Sequence, residues 1–578
     1  MAWEGDINIS RRRLTVPALF AVLLLLLGML LVWPLWHVIR GGFWVDGRFT
    51  LVYLLGVFRN PIYAEGLLNS LKLALGTTTL SLLLALPLAW LAHRYDFGGK
   101  RMFTGLLLVP MILPPFVGAI GFQQILGPYG ALNALFSLGP VDWLGRGRYT
   151  GVIILQALSL YPVMYLNAAA ALANVDPAME EAAANMGCHG WRKFRRITLP
   201  LIMPGLFAGG AIIFIWSFTE LGTPLIMNYT RCAPVQVFDA LKEVGTNPFP
   251  YALVFVMLVC SVLLYVAVKL AFGRKTYAMQ SRAGTAYRER PINGLAGWVI
   301  RLPFVLVSGL ALLPHLAVVL LSFSPPGRWY RGMFPERLAL DNYIAALGHD
   351  MTLASIRNSL GYASAAVLLN LLIGLAVAFM VVRSRLRWRG ILDAMAMIPL
   401  AVPGLVMAFG YLAVSSRLSH LPWVKDSDFW SSIFDVRVNP ALFLVVAYAV
   451  RRLPYMVRSA VAGLQQTSIV LEEAAANIGA SPLVAWRRIT LPLIMANLLA
   501  GVLLVFAFSM LEVSDSLMLA QRADDYPITK TIYELFQLIG TGQYTASALG
   551  VWSMVFLAVT IIGCSLMLGR TLGTIFRV

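Results

Sequence analysis

About twelve apolar stretches, each near 20 residues long, limit what this chain can fold into. They lie near 14–36, 66–92, 104–126, 150–173, 201–223 and 250–272, then near 298–322, 355–382, 391–415, 439–463, 492–519 and 546–569. As helices, stretches of that length match the hydrocarbon thickness of a bilayer, so the chain reads as an all-α polytopic membrane protein. Composition agrees: 59% of the residues are hydrophobic and 12% charged, where soluble domains carry about a quarter charged. The formal net charge of +18 does not point to nucleic acid, because the basic residues fall in short runs between apolar stretches and build no strand-binding surface.

Those short runs orient the chain, since Lys and Arg are retained on the cytoplasmic side of a membrane. Arg11–Arg13, Arg94 to Arg101, Arg192 to Arg196, Arg274 to Arg301, Arg383 to Arg389, Arg487-Arg488 and the tail from Arg570 define that side. The opposite loops hold most of the acids, including Asp239, Glu243, Asp341, Asp426, Asp428, Asp524 and Asp525. Both termini are therefore expected in the cytoplasm. Arg11-Arg12-Arg13 before an apolar run imitates a signal peptide, but the run is long enough to span and no small-residue cleavage site follows, so an uncleaved first helix is expected. Cys188, Cys232, Cys260 and Cys564 are scattered without metal spacing, which predicts neither a disulfide framework nor a metal site.

The chain is one unit written twice. Asn69-Ser70-Leu71 recurs as Asn358-Ser359-Leu360, and Pro110, Pro114 and Gly121 recur at the same spacing as Pro399, Pro403 and Gly410. Tyr161-Pro162 answers Leu453-Pro454, and Glu220 answers Glu512. Six spans per unit give both copies the same orientation, which implies a pseudo-two-fold axis along the membrane normal and a path between the halves. The expected organisation is a first half over 1–275, a cytoplasmic linker over 276–297 and a second half over 298–578.

The longest repeated motif lies before the fifth span of each half. Glu180-Glu181-Ala182-Ala183-Ala184-Asn185, then Gly187, then Arg195-Arg196-Ile-Thr-Leu-Pro-Leu-Ile-Met203 recurs without a gap as Glu472-Glu473-Ala474-Ala475-Ala476-Asn477, Gly479 and Arg487-Arg488 onward to Met495. Asp176-Pro177 can start a short helix, with aspartate as cap and proline at its first position. Both glutamates then fall in the first turns, where acids suit the helix dipole. The alanines leave a narrow face for another protein surface, and Gly187 and Gly479 permit a turn at low steric cost. Pro200 and Pro492 mark the expected start of the following span.

These residues resemble the EAA loop of binding-protein-dependent ABC permeases, at 176–200 and again at 468–492. The resemblance implies two tandem six-helix type I permease units in one fused chain. It also implies that each loop docks in a groove of a cytoplasmic ABC ATPase, with Glu181 and Glu473 meeting basic residues and Gly187 and Gly479 forming the bend. Two ATPase copies, a periplasmic or lipid-anchored solute-binding protein and a single copy of this chain per complex follow from the resemblance, as does a bacterial inner-membrane location. ATP and magnesium would belong to the ATPase subunits. The chain itself shows no phosphate-binding loop; Gly98-Gly99-Lys100-Arg101 lacks the first glycine and the hydroxyl such a loop needs, and no H-E-x-x-H or G-x-S-x-G occurs. No catalytic residue, cofactor or resident metal is expected.

Ionisable residues inside spans are costly and mark candidate path positions. Glu220 and Glu512, with Ser217 and Ser509 beside them, fall late in the fifth span of each half. They could meet a cationic cargo, or each could be bonded within its own half. Arg451 and Arg452 lie in the tenth span, where the fourth has Ser159 and Leu160; they could serve an anion path, snorkel to an interface, or mark a misplaced span. Tyr161, Tyr165 and Tyr455 are further lining candidates. A fused chain of this size is most similar to the ferric-iron group, whose relatives handle thiamine, phosphonates or sugar phosphates. The stretches Arg452-Leu-Pro-Tyr-Met-Val-Arg458 and Phe334-Pro-Glu-Arg-Leu-Ala-Leu-Asp-Asn342 carry that likeness. A proton- or sodium-coupled carrier with twelve spans is the competing class, and the paired loops are what such a carrier does not need.

Overall fold

A computed structural model describes residues 16–45, 47–111, 113–272, 289–328, 334–335 and 337–567. The expectations for Arg11–Arg13, for most of the linker and for the tail from Arg570 lie outside the described residues.

The first half runs through α1 (Val16–Phe43), α2 (Pro61–Arg94), α3 (Lys100–Leu106), α4 (Pro115–Leu126), α5 (Tyr149–Ala173), α6 (Pro177–Asn185), α7 (Gly190–Thr219), α8 (Gly222–Ile226), α9 (Ala233–Asp239) and α10 (Phe249–Phe272). The second half repeats it as α11 (Gly294–Ser322), α12 (Asp350–Arg383), α13 (Arg389–Ala401), α14 (Gly404–Ser419), α15 (Ala441–Gln466), α16 (Ile469–Asn477), α17 (Pro482–Met510), α18 (Ser514–Leu519), α19 (Ile528–Phe536) and α20 (Gly542–Met567).

Among the described residues, nine helices are long and apolar enough to cross a membrane, and two bent pairs bring the number to eleven. The twelfth expected span is α15. It is 26 residues long and packs with α12 and α17, but Arg451, Arg452 and Arg458 take it out of the plainly apolar class. The third span of each half is broken rather than straight, by 97° across 111–115 and by 103° between α13 and α14. Proline explains both breaks: it lacks the N–H that would continue the ladder, and it drives the preceding residue into the extended region. Val402 before Pro403 is extended accordingly, at φ −91° and ψ 124°. The fifth spans also differ from expectation. They begin upstream of Pro200 and Pro492, at Gly190 and Pro482, and they end at Thr219 and Met510, before Glu220 and Glu512.

The halves interlock through their first spans. In each half the core is a three-helix pack, α2–α5–α7 or α12–α15–α17, while α1 crosses to α14 and α11 crosses to α4. Both crossings are glycine against proline. A Cβ on Gly121 would overlap the Pro314 carbonyl, and a Cβ on Gly410 would sit 3.0 Å from the Pro34 carbonyl. Pro34 donates nothing to the Leu30 carbonyl one turn back, and the Tyr411 hydroxyl of the other half donates to it instead at 2.8 Å. The repeated Asn-Ser pairs also have a structural role. Asn69 and Asn358 donate to the carbonyls of Arg231 and Asp524 at 2.9 and 2.7 Å. Ser70 and Ser359 accept from the first N–H of α9 and α19, at 2.9 and 2.7 Å. Where the linker ends, Arg290-Pro291 pairs in parallel with Tyr95-Asp96, and Glu289 meets Lys100 at 2.7 Å. Gly99 forms a left-handed turn there at φ 81°.

Adding one methyl group at either crossing overpacks the join between the halves, at a cost of about 1–3 kcal/mol. Gly121→Ala is expected to lower the apparent Tm of the purified chain by several degrees, and Gly410→Ala by less, because only the former meets a backbone atom at overlapping distance. Differential scanning fluorimetry in one detergent, both variants beside the parent, checks the order.

Candidate coupling loops and translocation path

The two repeated loops fold alike. The Asp176 side chain caps α6 by accepting from Ala178 N at 2.9 Å, and Ser468 caps α16 by accepting from Val470 N at 3.3 Å. Gly187 and Gly479 follow at φ 79° and 88°, a backbone region that costs a side-chain-bearing residue about 1 kcal/mol or more. The shared Arg-Arg-Ile-Thr then forms a π turn in each half, Phe194–Thr198 and Trp486–Thr490. Such turns are rare and frequent at functional sites.

Each pair of glutamates divides its work. Glu180 turns inward, accepting from Lys193 Nζ at 2.9 Å and Thr198 Oγ1 at 2.8 Å. Glu472 does the same with Arg383 Nε and Thr490 Oγ1, both at 3.1 Å. Their carboxylates hold the loops to the helices beneath. Glu181, Ala182, Glu473 and Ala474 face outward, as do Arg195, Arg196, Arg487 and Arg488, whereas Ala183 and Ala475 are buried. The exposed surface also carries apolar side chains at equivalent positions that composition alone did not single out. Met186 and Ile478 are 81% and 88% exposed, and Trp191 and Leu483 are 73% and 75% exposed. The signal was present in the repeat, as the single apolar position between Asn and Gly.

At the far end of α7 and α17 the chain breaks again. Glu220 is extended at φ −69° and ψ 129° before α8, and Leu511 to Val513 separate α17 from α18. The two breaks touch: a Cβ on Gly222 would lie 2.9 Å from Val513 Cγ1 of the other half. Beyond them α9 and α19 meet. Phe238 packs edge-on against Tyr533 with centroids 6.1 Å apart. Lys530 sits within 5.8 Å of the Phe238, Tyr526 and Tyr533 rings and pairs with Glu534 at 2.8 Å. The halves are thus joined on the face opposite the coupling loops by apolar, aromatic and cation–π contacts.

The two glutamates of these breaks have unlike surroundings. Glu220 accepts from Gln156 Nε2 at 3.2 Å and from Thr223 N at 2.9 and 3.0 Å. Gln156 Oε1 in turn accepts from Thr77 at 3.1 Å and Ser217 at 2.6 Å. Glu512 instead bridges two guanidinium groups, Arg451 Nη1 at 2.6 Å and Arg452 Nη2 at 2.5 Å. Arg452 Nη2 also donates to the Phe508 carbonyl at 3.1 Å and stacks 5.2 Å over that ring. The arginines are thus paired with Glu512 in the middle of α15, as charges withdrawn from water must be. Ser509, unlike Ser217, is buried with no hydrogen-bond partner at Oγ. Tyr161 is fully enclosed and its hydroxyl is unbonded. Gln156 and Asp515 escaped the sequence reading; a lone amide in an apolar span and an acid three residues after Glu512 were the available clues. Cys188, Cys232 and Cys260 are free thiols, and no three His, Cys, Asp or Glu side chains converge on a common point among the described residues.

Two repeated helical units with matched loops on one face and touching breaks on the other define a pseudo-two-fold membrane transport subunit. The family described as binding-protein-dependent transport system inner membrane component matches residues 81–277 and 370–573. The chain belongs to that family. It is 26% identical over 484 residues to the ferric transport system permease protein FbpB of Actinobacillus pleuropneumoniae, covering 80% of this chain and 64% of that relative's length. The Fe(3+)-transport system permease protein FbpB 2 of Haemophilus influenzae is 26% identical over 508 residues, 88% of this chain and 90% of its own. The molybdenum transport system permease protein ModB of Escherichia coli is 30% identical over 189 residues, 31% of this chain and 81% of its own.

Burial tends to raise the Glu180 carboxyl, but bonds from Lys193 and Thr198 outweigh it and hold the group below its ordinary value of 4.5. A depressed carboxyl contributes stability that is complete above the ordinary value and is lost as pH falls through the folded one. Glu180→Gln is therefore expected to loosen residues 176–198 at neutral pH by about 1.5–3 kcal/mol. Hydrogen exchange of that segment checks it; the difference from the parent should vanish below the carboxylate range.

Proposed function

We propose that this chain is the membrane-spanning permease of an ATP-driven importer and that its cargo is ferric iron, delivered by a solute-binding protein. The observation that carries the proposal is the matched pair of loops, each presenting a glutamate, an alanine face and an apolar knob on one side of the molecule. A surface of this size, with apolar side chains left bare next to charge, suits docking with another protein. Two such surfaces on one chain suit two copies of a cytoplasmic ABC ATPase, with ATP and magnesium held there and hydrolysis occurring there.

Closure of the two ATPases would draw α6 and α16 together. Because α7 and α17 continue from these loops to the breaks at Glu220 and Glu512, the same motion would part α9 from α19 and open the path toward the binding protein. That protein, periplasmic or lipid-anchored, would sit on the acidic face. Both termini would be cytoplasmic, in a bacterial inner membrane, with one chain per complex. The cargo follows from the ferric permeases that share most of the chain's length; phosphonate, sugar phosphate or thiamine would use the same machinery.

Reconstituted with its ATPase and binding protein in proteoliposomes, the chain is expected to take up ⁵⁵Fe³⁺ only when ATP is supplied. Glu181→Arg and Glu473→Arg each reverse a charge at the docking surface and should cut that uptake by about tenfold, the equivalent of one lost charged contact of roughly 1.4 kcal/mol. The double variant should abolish it. Uptake that persists without nucleotide sinks the importer assignment.

A further inference from the structure

The ion cluster of the second half has no counterpart in the first. Where Arg451, Arg452 and Asp515 stand, the first half has Ser159, Leu160 and Thr223. We propose that Arg451 and Arg452 form an oxyanion subsite on the path, occupied by the Glu512 carboxylate as an internal stand-in while the outer break is closed. This rests on the importer assignment and narrows its cargo: iron crosses bearing an oxyanion ligand, not as a bare cation.

Three observations support it. First, each arginine gives one N–H to a different oxygen of a single carboxylate, at 2.6 and 2.5 Å. That is how guanidinium pairs hold carboxylate and phosphate groups. Second, the members of the cluster are not equally reachable. The Arg451 side chain is 27% exposed, Arg452 11%, Glu512 3% and Asp515 1%. Of the four side chains the Arg451 guanidinium is therefore the most accessible, and both carboxylates are buried. Arg451 lies over Gly404 at the bend between α13 and α14, where a Cβ would overlap the guanidinium.

Third, Asp515 is buried with no hydrogen bond to either carboxylate oxygen, and its nearest cation is Arg451 at 3.7 Å. A buried carboxylate with one long ion pair and no hydrogen bond calls for an explanation. With Glu512 in place the two arginines and two acids balance. Glu512 sits on the break between α17 and α18, whereas the arginines sit within the continuous α15, so movement of the break withdraws the carboxylate and leaves the arginines. Asp515 then offsets one of the two positive charges. The vacated site carries a single net positive charge, enough to hold an oxyanion and too little to trap it, which conduction requires.

The test reads binding directly. Purified full chain in nanodiscs is treated with phenylglyoxal, and modification of Arg451 is mapped by mass spectrometry in chloride, phosphate or molybdate at equal ionic strength. Oxyanions are expected to slow labelling of Arg451 by about fivefold at a few times the dissociation constant, and to leave exposed Arg487 and Arg488 unaffected. Glu512→Gln should lower the half-protecting concentration about tenfold by emptying the site. Should that variant not accumulate, Arg451→Lys keeps the charge and removes the fork, and the rise in Tm that phosphate gives the parent should disappear. Labelling of Arg451 that ignores oxyanions in parent and variant, or an unaltered Tm shift in Arg451→Lys, overturns the proposal. This readout needs neither iron nor ATP, so an absence of iron uptake would refute the ferric assignment alone. In proteoliposomes, ³²P-phosphate entering with ⁵⁵Fe identifies an anion carried with the metal; phosphate protection of Arg451 without ³²P entry identifies a free anion that gates the site.

Discussion

Hydrocarbon offers no hydrogen bonds, and most features of this molecule follow from that constraint. An interruption of a span must lie against protein, and three among the described residues do. The bend at Pro403 lies beneath Arg451, and the Leu30 carbonyl freed by Pro34 receives the Tyr411 hydroxyl from the other half. The break at Glu220 is closed by Thr223 and Gln156. The interruptions gather where the halves face each other, because only there does protein cover both sides. The same places are the ones able to move, since a break is a hinge between two rigid helices.

The interlocking of first spans gives the pseudo-symmetry its mechanical meaning. Because α1 lies on α14 and α11 on α4, neither half can rock without carrying a helix of the other. Glycine–proline contacts at Gly121 and Gly410 keep those crossings close. The touching breaks and the Lys530 aromatic cluster join the halves at one end, while the repeated loops stand at the other. Symmetry then fails in one place of consequence, the polar layer beneath the breaks. There the first half surrounds Glu220 with an amide and hydroxyls, and the second surrounds Glu512 with two arginines.

Much of the architecture was legible in the sequence because the repeat is strict. The loop motif returns without a gap, so its helix, glycine turn and re-entry could be placed in both copies. The Asn-Ser pairs were visible as repeated residues, but nothing in their neighbourhood revealed that they anchor α9 and α19, more than 150 residues away. The twelfth span was legible by length, and its arginines made its placement ambiguous. Proline marked the broken third spans, yet hydropathy runs smoothly through both bends and gave no sign of their angle. The inward turn of Glu180 and Glu472 was hidden for another reason: two adjacent glutamates look alike until the surface beneath the helix is known.

By itself the sequence determined the class of fold, the tandem repeat and the paired loops. These depend on local quantities: the length of an apolar run, the position of a proline, and the sign of charge beside a span. Only the tertiary structure decided which charges are partners. Arg451 and Glu512 are 61 residues apart in the chain and 2.6 Å apart in space. Whether a buried arginine is an anion site, an anchor or a liability depends on what lies within a few ångströms in a medium of low dielectric, where one unpaired charge outweighs many apolar contacts.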